Sequence, residues 1–338
     1  LNTKKTASKN RSKTANRTSR VFKLEDSKRL RDLCGPAHRN LQVLELQLAD
    51  FDISVESQGG EIRIDGEGQG PALAEQALIA FADRVEAGAD PSGFELEGVI
   101  RLVRDDALPG TSGGGEIIAG LNKPVTPQTP GQRSYLKKLR DDAAGLVFGT
   151  GPAGTGKTFL AVAVGASELK SGKRERLIVA RPAVEAGEQL GFLPGALEEK
   201  VDPYMLPIWD ALNELLGAKE VERRKERKEI EVAPLAFMRG RTLKNAFVII
   251  DEAQNATIPQ MKMVLTRLGR GSRMVVTGDP SQTDLPDRSP SGLAHGMRIL
   301  NGVEGVSQTA LTASDVVRHD LVARIVTAYD DDENSRND

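Results

Sequence analysis

Runs of consecutive apolar residues at 146–148, 177–180, 247–250 and 274–276 stand out along the chain. They are continuous rather than alternating, as strands buried on both faces of a parallel sheet must be. Helical spacing fills the intervals. Residues 159–164 form an apolar run after the first strand, and Met205, Ile208, Trp209, Leu212, Leu215 and Leu216 fall on one helical face. The expectation is a domain over 126–329 in which strands and helices alternate around a mostly parallel sheet.

Nearer the start the period changes. The spacing predicts a helix over 40–49, alternating strands over 52–56 and 61–65 that meet at Gly59-Gly60, and a helix over 71–86. That is a small α+β domain, assigned to 28–87. Breaker clusters at 89–93 and 109–115 mark 88–125 as a Gly/Pro-rich linker, with room for one short element at 94–103. Residues 219–231 are mostly charged and read as a solvated helical extension, with Glu220–Arg224, Lys225–Glu229 and Arg227–Glu231 at i,i+4.

Composition narrows the class. The chain has 338 residues, 39% of them hydrophobic, enough for more than one buried core. No apolar stretch approaches membrane-spanning length and the amino terminus is polar and basic, so the expected compartment is the cytoplasm. One cysteine, Cys34, and three scattered histidines point away from a disulfide or structural zinc. A net charge of −2 hides a polarity: residues 1–20 are basic without an acid, whereas 330–338 open on four acids. We assign 1–27 to a disordered basic arm and 330–338 to an acidic tail.

The chemistry starts where the first buried strand ends. Gly151, Pro152, Ala153, Gly154, Thr155, Gly156, Lys157 and Thr158 match G-x-x-x-x-G-K-[ST] in full, between a strand and a helix. Backbone N–H groups of such a loop close on phosphates, Lys157 adds a point charge, Thr158 is a Mg²⁺ ligand, and the helix dipole favours the anion. The run at 247–250 ends in Asp251 and Glu252, which suit a metal-holding carboxylate and a group that polarises water. Thr257-Ile258-Pro259-Gln260 has the form of a capping box, so a helix follows at once.

Several boxes carry resemblances. Asp251-Glu252-Ala253-Gln254 resembles the D-E-x-Q box of superfamily 1 helicases and related nucleic-acid ATPases. Gly278-Asp279-Pro280-Ser281-Gln282 is similar to their Gly-Asp-x-x-Gln segment, which implies that Gln282 senses the γ-phosphate. The segment 126–132 is similar to the one whose glutamine reads adenine, which implies Gln132 as the adenine contact, with a plain helix start after the Pro-Gly turn as the alternative; a side-chain amide suits the donor and acceptor on that edge. In the small domain, helix, hairpin and helix resemble part of a KH RNA-binding module. Its G-x-x-G turn reads Gly35-Pro36-Ala37-His38 here, without the second glycine.

Together with Ala180-Arg181-Pro182-Ala183-Val184-Glu185-Ala186-Gly187-Glu188, Phe237-Met238-Arg239-Gly240-Arg241-Thr242 and Ala313-Ser314-Asp315-Val316-Val317-Arg318-His319, these boxes resemble the PhoH family of ATPases. The resemblance implies a RecA-like P-loop NTPase core, ATP and Mg²⁺ as cofactors, ATP hydrolysis and a role in RNA metabolism. The expected catalytic set is Lys157, Asp251, Glu252, Gln282 and Arg318; the expected metal ligands are Thr158 and Asp251. Arg318 is read as an arginine finger, with a surface salt bridge to Asp315 or Asp320 as its plain alternative. Because one core is visible, the finger is expected from a neighbouring copy in a ring of about six. Arg181, Arg239, Arg241 and Lys262 are the nucleic-acid candidates, with Arg181 and Arg239 also read as rival fingers. The leading expectation is a helicase-like ATPase on single-stranded RNA. The alternative is a slow nucleotide-gated adaptor that recruits a nuclease or ribosome-maturation factor.

Overall fold

A computed structural model describes residues 17–24, 26–105, 117–182, 197–285 and 290–317. The chain divides into two units. One holds residues up to Glu86 together with Asp90–Gly113, and the other holds Ala87–Ala89 with Gly114–Asp338.

The first unit is α+β. Strand β1 (Arg17–Lys23) is followed by α1 (Ser27–Cys34), α2 (Arg39–Gln47), the hairpin β2 (Ser54–Gln58) and β3 (Glu61–Glu67), then α3 (Gly70–Glu86) and α4 (Gly93–Arg104). The antiparallel sheet runs β1-β3-β2. Ile62 and Ile64 alternate inward from β3 onto Leu44, Ala77, Leu78 and Phe81, all fully buried. Two expectations are corrected here. The end of the presumed arm is β1, ordered by pairing with β3 along its whole length although only Phe22 among its residues is buried. The stretch called a linker contains α4, whose Leu96, Val99, Ile100 and Val103 lie in this unit's core. Apolar spacing at i, i+3, i+4 and i+7 outweighs the breakers that flank it. Ser92 caps α4 by accepting the N–H of Glu95. The turn between α1 and α2 has left-handed Ala37 and His38, at φ 49° and 58°, where glycine is the usual occupant.

The second unit has a six-stranded sheet, all parallel, built from β4 (Leu146–Thr150), β5 (Arg176–Arg181), β6 (Ile230–Pro234), β7 (Ala246–Ile250), β8 (Arg273–Gly278) and β9 (Val306–Ala310) in the order β6-β5-β7-β8-β4-β9. The four expected strands are the central ones. Val147, Leu177, Val179, Phe247, Ile249 and Val275 face a core covered by α5 (Pro130–Arg140), α6 (Lys157–Lys170) and α7 (Leu197–Leu216). Phe148, Ile178, Val248, Ile250, Met274 and Val276 face the opposite core, which receives Met261 and Val264 from α9 (Ile258–Leu265) and Leu293 from α10 (Gly292–Ile299). Covering both faces is what demanded continuous apolar runs.

The charged segment ends sooner than expected. Helix α8 (Ala218–Glu226) stops, Lys228 takes a left-handed φ of 59°, and the edge strand β6 begins at Ile230. Glu220 does pair with Arg224, but Arg224 also takes Glu229, Lys225 lies over Trp209, and Glu231 takes Arg241.

Candidate functional site

Parallel strands deliver their C-terminal ends to one edge of the sheet, and the phosphate loop leaves β4 at that edge. Gly151 has φ 145°, and a side chain there would run into the carbonyl of Leu311; Gly156, at φ 76°, sits directly before α6. Thr155 is fully buried, and its hydroxyl donates to the Pro152 carbonyl at 2.9 Å. Lys157 donates to the same carbonyl at 3.0 Å, so its ammonium lies over the loop. The loop is thus a backbone cradle at a helix N-terminus with one positive charge beside it.

Asp251 is the hub. It is 1% exposed, at the end of β7, and its N–H is bonded to Ala180 of the neighbouring β5 at 2.9 Å. Its Oδ1 accepts hydrogen bonds from the hydroxyls of Thr158 and Thr277, each at 2.6 Å. Its Oδ2 accepts from Arg181, at 2.8 Å from Nε and 2.6 Å from Nη2. Thr277, on β8, is a site residue that sequence reasoning missed. Tyr135, buried against Gly149 of β4, has its phenol pushed to higher pKa by burial and by the negative charge of Asp251, which keeps it neutral.

Glu252 is exposed and left-handed, with φ 52°, an uncommon conformation for a non-glycine residue. Gln254, 4% exposed, holds it: Nε2 donates to Glu252 at 2.6 Å while Oε1 accepts the N–H of Asp279 at 3.1 Å. The acidic box and the Gly-Asp-x-x-Gln segment are therefore joined through one amide. Asn255 repeats the link by exchanging hydrogen bonds with Asp284 at 2.9 and 3.1 Å. Gln282 stands exposed on this segment. The capping box forms as expected, with Thr257 accepting the N–H of Gln260 and Gln260 accepting that of Thr257.

The other expected residues divide between ones the site holds and ones apart from it. Gln132 is buried with both ends of its amide engaged, donating to the Thr155 carbonyl at 3.1 Å and accepting the Gln128 N–H at 2.8 Å. In this arrangement it braces the phosphate loop with one N–H and one lone pair, and the amide has a second of each. The fork of Arg181 is held by Asp251. Arg241 is likewise held by both oxygens of Glu231, at 2.5 and 2.7 Å, which raises its pKa further. Arg239 and Lys262 are exposed. Arg318 lies outside the described residues. Asp315, its expected surface partner, is 5% exposed and ties the Thr129 hydroxyl and Gly131 N–H at the start of α5 to Thr312.

The donor set fits a hard cation. Thr158 and Asp251 offer oxygens side by side at the cradle, and among the described residues no cluster of His, Cys, Asp or Glu would cage a metal alone. Mg²⁺ is commonly held this way, by one or two protein oxygens with phosphates and water completing the shell.

Residues 124–330 match the family model described as PhoH-like protein. The chain is 46% identical over 290 residues to a PhoH-like protein of Bacillus subtilis (strain 168), covering 85% of this chain and 90% of that one. It is 56% identical over 211 residues to a PhoH-like protein of Synechocystis sp. (strain ATCC 27184 / PCC 6803 / Kazusa), covering 62% and 64%. It is also 43% identical over 208 residues to Protein PhoH of Escherichia coli (strain K12), covering 61% and 58%. Among solved structures, the Sulfolobus solfataricus SWI2/SNF2 ATPase core in complex with dsDNA matches at a TM-score of 0.28 and 17% identity over 43% of this chain and 30% of that one, too low to carry an argument.

Proposed function

This chain belongs to the PhoH-like family, and from that premise we propose that it is a Mg²⁺-dependent ATPase that works on single-stranded RNA. The observation that carries the reading is the Gln254 bridge. It connects Glu252, placed to polarise an attacking water, to the backbone that bears Gln282. A residue that senses the terminal phosphate is thereby coupled to the residue that prepares its hydrolysis.

In this reading the loop N–H groups and Lys157 bind the β- and γ-phosphates, and Lys157 leaves Pro152 to do so. Thr158 and Asp251 hold the metal, which when bound would neutralise charge developing on the phosphates. Glu252 orients water in line with the terminal phosphate, and Gln254 fixes its carboxylate. The γ-phosphate contacts of Lys157 and Gln282 exist only before hydrolysis, which makes a two-state element. RNA contact falls to Arg239 and Lys262 before Arg181 and Arg241, whose charges are already paired. That pairing favours keeping the adaptor reading as the rival.

Steady-state phosphate release, with and without single-stranded RNA at physiological salt, separates the two. The expected result is Mg²⁺-dependent release that RNA raises several-fold and that Lys157→Ala lowers by roughly a hundredfold or more. Release indifferent to RNA removes the RNA reading. No Mg²⁺-dependent release removes the ATPase.

A further inference from the structure

Asp251 is asked to do two things with one carboxylate. Buried at 1% exposure, its charge needs a compensating partner, because an unpaired buried carboxylate is strongly unfavourable. Arg181 supplies it, reaching from the end of β5 to Oδ2 through both Nε and Nη2. The register of β5 beside β7, Ala180 opposite Ile250, makes 181 the neighbour of 251. Yet a cation drawing on Asp251 meets a carboxylate already neutralised by a guanidinium, and the two positive charges repel each other.

Two details allow the pair to open. The Arg181 side chain is 15% exposed, so water can receive its charge on release. The buried pair Arg84–Glu95 in the other unit, at 1% and 8%, has no such outlet. In addition, Thr158 and Thr277 hold Oδ1, so the carboxylate keeps its orientation when Oδ2 is freed.

Resting on the nucleotide reading above, we propose that Arg181 is the resident counter-ion of Asp251, a positioning residue that competes with Mg²⁺ for this carboxylate. Metal loading and release of Arg181 are then one equilibrium. When only part of the population has Asp251 free, apparent metal affinity is reduced by that fraction. Deleting the competitor removes the reduction.

The test is equilibrium binding of a fluorescent ATP analogue to the full chain, titrated with Mg²⁺ from a chelated start. For Arg181→Ala the half-saturating Mg²⁺ falls about tenfold, and for Arg181→Lys, which keeps the charge without the fork, it falls less. A half-point that is unchanged, as for an arginine acting only on phosphate during turnover, overturns the proposal. So does one that rises, as for an arginine that merely braces Asp251. If Arg181→Ala does not fold, Arg181→Gln carries the same expectation, with melting curves in Mg²⁺ and ADP as the check on folding. A parent protein that fails to bind the analogue at all removes the nucleotide reading and this proposal with it, an outcome distinct from an unshifted half-point.

Discussion

Gln254 directs its buried amide two ways, to Glu252 and to the N–H of Asp279, and Glu252 sits in a left-handed conformation that needs holding. Truncating the amide frees the carboxylate without touching the phosphate cradle. Gln254→Ala is therefore expected to lower turnover by about a hundredfold while leaving nucleotide affinity within about twofold, read by phosphate release and analogue binding on the same material. Equal loss in both measurements would mean that the residue serves the fold of the site rather than the placement of Glu252. At this scale the sequence was legible where chemistry imposes a local spacing, as in Gly151 to Thr158 or Asp251-Glu252. It was silent on Thr277, which reaches Asp251 only because β7 and β8 are neighbours. It was equally silent on the carboxylates that hold Arg181 and Arg241, since a basic residue does not reveal which acid the fold sets beside it.

Helix α4 is joined to α3 by the ion pair Arg84–Glu95, 2.6 Å long and almost wholly buried. Removing Arg84 takes the 2.6 Å partner from a carboxylate that is 8% exposed. Arg84→Met is expected to destabilise the first unit by about 3–5 kcal/mol, and the double change with Glu95→Leu to recover most of that, measured by urea denaturation of both variants. A double variant no more stable than the single one would show that the pair's hydrogen bonds, not its uncompensated charge, govern the loss. The strands that escaped sequence reading are defined by their tertiary partners. Strand β1 buries only Phe22, and β9 is half-buried at the sheet edge, so neither has a strong apolar period of its own. The central strands, buried throughout, were plain because burial on both faces leaves no polar positions to blur them.

The two units have separate cores. Leu44, Ile62, Leu78, Phe81 and Val99 belong to one, while Phe148, Val164, Ile249 and Val276 belong to the two layers of the other. Each is large enough to fold as a cooperative body, so heating should give two calorimetric transitions rather than one. The nucleotide site draws every described residue from the second unit, and a ligand stabilises only the state that binds it. Mg²⁺ with ADP at a hundred times its dissociation constant is thus expected to add about 2.7 kcal/mol to one transition and nothing to the other. Arg84→Met should move the unshifted transition alone, which assigns each peak to its unit without cutting the chain. Should nucleotide displace both peaks together, the cores are energetically coupled, and ATP turnover in one unit would be expected to change what the other can grip. If neither peak responds while the protein is demonstrably folded, the cradle of Gly151 to Thr158 does not bind ADP, and the functional reading falls at its first step.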